Sequence, residues 1–176
     1  MSINKLMTGA ALILTGLSTS AMAATDGKVN FEGNVVDTPC VVASKSVNQT
    51  VTLNNVKSSS FTAVGNTSAP VGFTISLEQC TPGTIKTATA AFSGLADAKD
   101  NTLVSVGTAS GSATGIGIEI LDAAKGTTVA MNGAGTDFGL INGNTDLNFQ
   151  ARYKSTNATV GVGPANGSAD FAITYK

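Results

Sequence analysis

Histidine and tryptophan are both absent from the 176-residue chain. Without histidine, Ser-His-Asp and Cys-His catalytic arrangements are excluded, as are metal sites built on imidazole ligands. Charged residues make up only 12% of the sequence and the net charge is −1, so bulk electrostatics favour neither nucleic acid nor an anionic membrane as a partner. Aromatic residues make up 5%, and the lack of tryptophan argues against the aromatic platform typical of sugar-binding sites.

Carboxylate pairs are the remaining route to hydrolytic chemistry. Glu32, Glu78 and Glu119 occupy alternating positions that we predict to face solvent from strands. Asp97 and Asp100 lie in a predicted loop, which lacks the glycine and the final glutamate of an EF-hand. The sequence therefore predicts no catalytic residue, no metal site and no cofactor, and an enzyme is not expected.

The first 23 residues have the parts of a secretory signal. Lys5 provides a positive charge, residues 6–17 form a short apolar run, and Ala21-Met22-Ala23 provides small residues at the positions that signal peptidase reads. The run is shorter than the roughly 20 residues that span a membrane. We therefore predict cleavage before Ala24 and export of a mature chain of 153 residues, enough for one domain with its own core.

Cysteine occurs only twice, at positions 40 and 80. In an exported protein a pair of cysteines most simply forms a disulfide. A bond between Cys40 and Cys80 closes a loop for which chain-entropy arguments give about 4 kcal/mol of stabilisation.

Residues of alternating polarity recur along the mature chain, and a period of two places apolar side chains on one face of a strand. Turn residues such as Thr81-Pro82-Gly83 and Asn142-Gly143-Asn144 separate these segments. Many short strands with frequent turns predict an all-β sandwich or barrel. The polar stretch 55–69 is predicted to be a loop with at most a short helix or strand. The inward sets of the predicted strands are Val29/Phe31/Gly33/Val35, Val47/Gln49/Val51/Leu53, Val71/Phe73/Ile75/Leu77, Ile116/Ile118/Ile120, Leu147/Phe149/Ala151/Tyr153 and Ala169/Phe171/Ile173/Tyr175.

The order and spacing of these segments resemble those of chaperone–usher fimbrial subunits, and most of all the major subunit of type 1 fimbriae. Residues 27–40, GKVNFEGNVVDTPC, resemble the opening of these pilins, with an alternating arm, a glycine in phase with its apolar residues, and the first cysteine. The resemblance is weakest at 57–69 and 123–144, which are predicted loops. It continues through QTVTL at 49–53, VGFTISLEQC at 71–80, GIGIEILD at 115–122, FQARY at 149–153 and Tyr175.

The resemblance implies an incomplete immunoglobulin-like sandwich, the pilin fold, which lacks its last strand and is completed by a donor strand from a chaperone or a neighbouring subunit. Residues 1–23 would then be the signal peptide, 24–36 the N-terminal donor-strand extension and 37–176 the pilin domain. A missing strand leaves an unpaired edge and an apolar groove, which favour aggregation unless a partner covers them.

The donor residues implied by the resemblance are Val29, Phe31, Gly33 and Val35, which share one face of the arm. A slip of one residue would invert the two faces, so the register is expected to be strongly specified. The alternating pattern alone fits equally well an ordinary first strand of a complete sandwich.

The C-terminal segment 169–176 is expected to form the edge strand that borders the groove. The resemblance implies that the chaperone contacts this edge through Phe171, Ile173, Tyr175 and Lys176. Tyr153 and Tyr175 fit equally well as plain core or edge aromatics.

The implied function is that of a structural subunit of an adhesive fimbria, polymerising by donor-strand exchange into the shaft. The implied partners are other copies of the chain, a periplasmic chaperone, an outer-membrane usher and other fimbrial subunits including a tip adhesin, with no nucleic acid. The chain would pass through the periplasm to the cell surface. The alternatives are a minor adaptor or terminator subunit, and a secreted β-sandwich carbohydrate-binding module.

Overall fold

The computed structural model describes residues 27–33, 35, 38–107 and 109–176. The described residues before Thr38 belong to a separate unit, and the domain follows them. Within the described residues no helix is long and apolar enough to cross a membrane. The elements of the domain are β1 (Val41–Val42), α1 (Ser44–Val47), a 3-10 turn (Ser58–Ser60), β2 (Val71–Cys80), β3 (Thr87–Ser93), β4 (Val104–Ser105), β5 (Ile116–Asp122), β6 (Thr136–Gly139), β7 (Gly143–Ser155) and β8 (Asp170–Tyr175).

The strands form two antiparallel sheets. One sheet has the order β1-β2-β7-β5-β4, and the other has the order β6-β3-β8. In the larger sheet Phe73 of β2 lies opposite Phe149 of β7, and Phe149 meets Phe92 of the smaller sheet edge to face at 5.1 Å between ring centroids. The two sheets therefore face each other across one core, which confirms the predicted β-sandwich.

Alternation along the strands supplies that core. In β7 the residues Leu147, Phe149 and Ala151 are buried, whereas Asn148 between them is exposed. The ring of Phe149 lies at the centre and also contacts Phe73 and Phe138, with centroids 5.4 and 5.3 Å away. Burying a side chain of this size contributes about 1.5–3 kcal/mol, so this aromatic cluster is a main source of the cohesion between the sheets.

The strand predicted from Val47, Gln49, Val51 and Leu53 is not formed. Val47 ends helix α1, and residues 48–57 carry no strand. The hydroxyl of Ser46 accepts a hydrogen bond from the N–H of Ser76 at 3.0 Å, so a side chain takes the place of a ladder bond at this edge of β2. The prediction for 55–69 is confirmed, because this stretch contains the 3-10 turn Ser58–Ser60 and a single β-bridge from Thr67 to Lys154 and is otherwise irregular.

The prediction that Glu119 faces solvent is wrong, whereas Glu32 and Glu78 are exposed as predicted. Glu119 is only 3% exposed. It lies opposite Arg152 in the β5–β7 ladder, and the Arg152 Nε donates to its carboxylate at 2.7 Å. A residue on the outer face of a sheet is buried here because the long side chains of its neighbours cover it.

Cys40 and Cys80 form the predicted disulfide bond. Both cysteines are buried, and the N–H of Thr81 donates to the carbonyl oxygen of Pro39 at 2.7 Å beside them. The bond therefore fastens the start of the domain to the end of β2.

Mass spectrometry of the unreduced protein checks this bond. The mass of the unreduced chain is expected to be lower than that of the reduced chain by two hydrogens, because both thiols of the protein are consumed. A thiol-reactive label that modifies Cys40 and Cys80 before reduction would contradict the assignment.

Candidate functional site

Strand β8 lies at the outside of the three-stranded sheet, with β3 on one side only. Its ladder to β3 runs from Asp170 opposite Ser93 to Tyr175 opposite Ala88. No strand of the described residues pairs with its other side. A further strand can therefore be added to this sheet alongside β8.

The hydrogen-bond phase of the ladder shows which residues of β8 face the free side. Lys176 and Thr87 exchange both of their N–H···O=C bonds at 3.0 Å. Because residues of an antiparallel pair alternate between bonded and non-bonded positions, the alternate residues of β8 direct their N–H and C=O groups away from β3. We call these three residues, Phe171, Ile173 and Tyr175, the β8 edge.

The side chains of the β8 edge also form an incompletely covered part of the core. All three pack against the main apolar cluster, but each remains only half-buried. The corresponding inward residues of β3, Ala88 and Ala90, are fully buried. The same residues therefore present unpaired backbone groups and uncovered apolar surface.

Tyr175 also bridges the two sheets at one end of the β8 edge. Its hydroxyl donates to the carbonyl oxygen of Cys40 at 3.3 Å, and Cys40 directly precedes β1, the outermost strand of the other sheet. Burial raises the pKa of Tyr175, so the hydroxyl keeps the proton that it donates. The β1 and β8 edges therefore lie on the same side of the sandwich.

The opposite edge of the small sheet, β6, is protected by a lysine. The Nζ of Lys125 donates to the Thr136 hydroxyl at 2.8 Å and to the Asp137 carbonyl oxygen at 2.9 Å. It also pairs with the buried Asp122 carboxylate at 2.9 Å. Short edge strands and lysine side chains are the usual means of preventing strand addition. In the three-stranded sheet, β8 is therefore the edge strand to which a further strand can be added.

The N-terminal arm, residues 27–33 and 35, has no helix or strand and is exposed throughout. The side chain of Val29 is 74% exposed, that of Phe31 is 90% exposed, and Val35 is fully exposed. A Cβ atom added to Gly33 would meet no atom within 4 Å. Exposed apolar side chains in series mark an interaction site, and none of the described residues requires a glycine at position 33.

The two carboxylates of the predicted loop, Asp97 and Asp100, have structural partners. Asp97 accepts the N–H groups of Lys99 and Asp100 in a turn, and Asp100 pairs with Lys154 at 3.1 Å. In the part of the chain that the structure describes, no three His, Cys, Asp or Glu side chains are grouped to hold a metal ion.

The family model for fimbrial proteins matches residues 29–176, which include the described arm from Val29 and the whole sandwich. The chain is a member of the fimbrial protein family.

Individual relatives agree with this assignment. The chain is 44% identical to the probable major fimbrial subunit LpfA of Escherichia coli O157:H7, over 94% of this chain and 93% of the relative. It is 41% identical to the type 1 fimbrial subunit of Salmonella typhimurium, over 98% and 99% of the two chains. Among solved structures, a chaperone–usher pilus described as revealing the molecular basis of rod uncoiling matches with a TM-score of 0.73 and 26% identity, covering 90% of this chain and all of that chain. The chain is thus a structural pilus subunit with the pilin fold.

The residues predicted for function in this fimbrial subunit fall into two groups. The arm residues Val29, Phe31, Gly33 and Val35 lie in the separate N-terminal unit. The C-terminal residues predicted for the chaperone contact form the β8 edge, with Lys176 directly after it and its Nζ 2.9 Å from Asp137. The predicted signal peptide lies outside the described residues.

Sequence reasoning missed two contributors to the site. Lys125 was part of a predicted loop, and only the position of β6 shows that it covers a sheet edge. The sequence predicts only a disulfide for Cys40, although its carbonyl oxygen also accepts the hydrogen bond from the Tyr175 hydroxyl. Tyr153, the other candidate aromatic, is a core residue whose hydroxyl donates to the carbonyl oxygen of Ala165 at 3.0 Å.

Proposed function

We propose that this fimbrial subunit polymerises by donor-strand exchange, with residues 24–36 of one copy adding a strand to the β8 edge of the next. The observation that carries the proposal is the match of two surfaces within one chain. One is a sheet edge with free backbone groups and half-buried apolar side chains, and the other is an arm with exposed apolar side chains at every second position.

The phases of the two surfaces agree. Residues opposite each other in an antiparallel pair point their side chains to the same face. Arm residues that bond to Phe171, Ile173 and Tyr175 therefore direct their side chains into the core. With the apolar set Val29, Phe31 and Val35 in that position, the alternate residues Lys28, Asn30 and Glu32 face water, whereas a slip of one residue would bury two charges.

Insertion of the arm into the groove has a favourable free energy. Each large apolar side chain of the arm contributes about 1.5–3 kcal/mol when it passes from water into the groove. Three N–H and three C=O groups of the β8 edge gain partners at the same time. Gly33 would lie where the groove is shallow or where the backbones approach closely, which accounts for a glycine in the apolar phase.

The same proposal covers the route of the chain. Residues 1–23 direct export, a periplasmic chaperone covers the β8 edge until an outer-membrane usher brings the next subunit, and residues 37–176 form the pilin domain of a surface fibre. The relative named as a probable major fimbrial subunit favours the repeating shaft over a minor position. No catalytic step and no cofactor is required, because strand addition releases its own free energy.

Replacing Gly33 by leucine tests the proposal. Forcing extra methylenes into a packed site costs about 1–3 kcal/mol, so we expect the yield of surface fibres to fall by roughly tenfold or more while chaperone binding is retained. Electron microscopy and a heat-resolved polymer ladder on gels measure the yield.

The matched control is Asn30→Leu, which adds the same side chain to the face of the arm that points to water. We expect this variant to assemble at close to the wild-type level. Normal fibres from Gly33→Leu would show that the arm does not enter a groove in the proposed phase.

A further inference from the structure

A second apolar surface of the domain is independent of the β8 edge. Of the seven large apolar side chains that are exposed in the described part of the domain, four lie around one end of the sandwich. We call these four residues, Val56, Val64, Leu95 and Val162, the apolar pole. Val162 alone is 82% exposed, and a concentration of this kind on a soluble domain marks an interaction surface.

The hydrogen bonds around the pole fix its place in the fold. Val64 lies between Ala63 and Gly65, which both bond to Ser155 at the end of β7, at 2.7 and 2.9 Å. Leu95 follows the end of β3, and Ser93 in that end pairs with Asp170 at the start of β8. Val56 and Val162 line one shallow cleft with Phe61 and Ile116, the first residue of β5. The pole therefore lies at the end of the sandwich where β8 begins.

The arm cannot be donated without bringing two domains together. Its last described residue is Val35, and the buried Cys40 already belongs to the domain. Five residues span at most about 18 Å, whereas a domain of this length has a radius of gyration of about 14 Å. The domain that donates the arm therefore lies directly beside the domain that receives it.

The direction of the added strand decides which end of the receiving domain is covered. Every strand pair in both sheets is antiparallel, and an arm that continues this pattern runs antiparallel to β8. An arm that runs antiparallel to β8 places Val35 next to the start of β8. The donating domain then lies over the apolar pole.

We infer that the apolar pole is the docking surface for the body of the donating copy, an inference that rests on the proposed strand exchange. The donating copy offers apolar surface at the end from which its arm leaves. Cys80 pairs with Gly143 at that end, and Ile141, two residues before Gly143, is exposed. Each junction of the fibre thus combines an inserted strand with a contact between the Ile141 end of one domain and the pole of the next, which is a heterologous contact that propagates without closing.

Charged substitutions on the pole test this inference in the full chain, expressed with its own secretion and assembly partners. Val162→Asp and Leu95→Asp are each expected to lower the yield of fibres by roughly fivefold and to make the fibres dissociate at a lower denaturant concentration. Both side chains are exposed, so the domain itself is expected to fold. The matched control is Val47→Asp, an exposed valine at the end of α1, which should behave as wild type.

The outcomes separate this inference from the proposed function. If Gly33→Leu blocks assembly while both pole variants give fibres as abundant and as stable as those of Val47→Asp, strand exchange stands and docking on the pole is overturned. If Gly33→Leu assembles normally, the proposed strand exchange fails, whatever the pole variants do. Weaker fibres from both pole variants, with Val47→Asp unchanged and Gly33→Leu inactive, support the inference.

Discussion

A chain that lacks residues 24–36 is expected to form no fibre at all. The deletion removes the exposed apolar residues Val29, Phe31 and Val35, so the variant has nothing to add to the β8 edge of another copy. Its own β8 edge remains open, because that edge belongs to the domain. Such a domain still needs a strand from elsewhere and should accumulate only when a chaperone is co-expressed. Electron microscopy of the cell surface and size-exclusion chromatography of periplasmic extracts measure both effects.

A variant that keeps the length and composition of the arm tests whether assembly depends on the alternating order of its apolar residues or only on their presence. Val29→Asn with Asn30→Val, and Phe31→Glu with Glu32→Phe, move two of the three large apolar side chains to the opposite face of the strand. Since a sheet edge accepts one face only, this variant should assemble as poorly as the deletion. A stable, monomeric, soluble deletion variant made without any chaperone would contradict the proposal, because it would show that the sandwich is complete by itself.

The strands that the sequence predicts correctly are those with large apolar residues in phase. In β2, β5 and β7, bulky side chains such as Ile75, Ile120 and Phe149 fill the core at every second position, so the local pattern and the tertiary packing agree. Four strands, β1, β3, β4 and β6, are not among those that the sequence predicts, and none of them has such a pattern. β3 presents Ala88 and Ala90 to the core, and small residues of this kind give little contrast between faces. These strands form because the sheet around them supplies partners.

The candidate site is predictable to a similar extent. Alternation identifies Val29, Phe31 and Val35 as one face of an arm, and alternation near the C-terminus identifies the side chains of the β8 edge. Only the strand order shows that β8 lies at the outside of its sheet, because a local sequence pattern does not indicate which strand lacks a neighbour. The same holds for Lys125 over β6 and for Tyr175 on Cys40, whose partners are distant in sequence or lie in a predicted loop.

Replacing Arg152 by methionine is expected to lower the free energy of unfolding by about 1–3 kcal/mol at neutral pH, because Lys154 remains 3.5 Å from the Glu119 carboxylate. The Glu119 carboxylate is buried and accepts from Arg152 at 2.7 Å and from the Thr128 hydroxyl at 2.9 Å. Methionine keeps much of the apolar stem but leaves the buried negative charge without its main partner. Urea unfolding of the two chains, compared in the same assembly state because association itself stabilises, measures the loss.

The pH dependence of that loss identifies its cause. Burial alone would raise the pKa of Glu119, but the hydrogen bonds from Arg152 and Thr128 and the charges of Arg152 and Lys154 outweigh it, so the pKa of this carboxyl is lowered. A carboxyl with a lowered pKa stabilises the folded state above its unfolded-state pKa of about 4.3, and this stability is lost as the pH falls through the folded-state pKa. The difference between wild type and Arg152→Met should therefore be largest near pH 7 and narrow as the pH falls below about 4.3.

The Glu119→Gln background provides the control for this experiment. Glutamine carries no charge that could be left without a partner. Adding Arg152→Met in this background should therefore lower the free energy of unfolding much less than it does in the wild-type chain, and this loss should not change with pH. An equal cost in both backgrounds would show that Arg152 stabilises the sandwich through the packing of its stem over β5 and β7. A coupling between the two positions would instead establish that a charge on the outer face of the sheet, which its place in the strand pattern assigns to solvent, is held in the fold by its cross-strand partner.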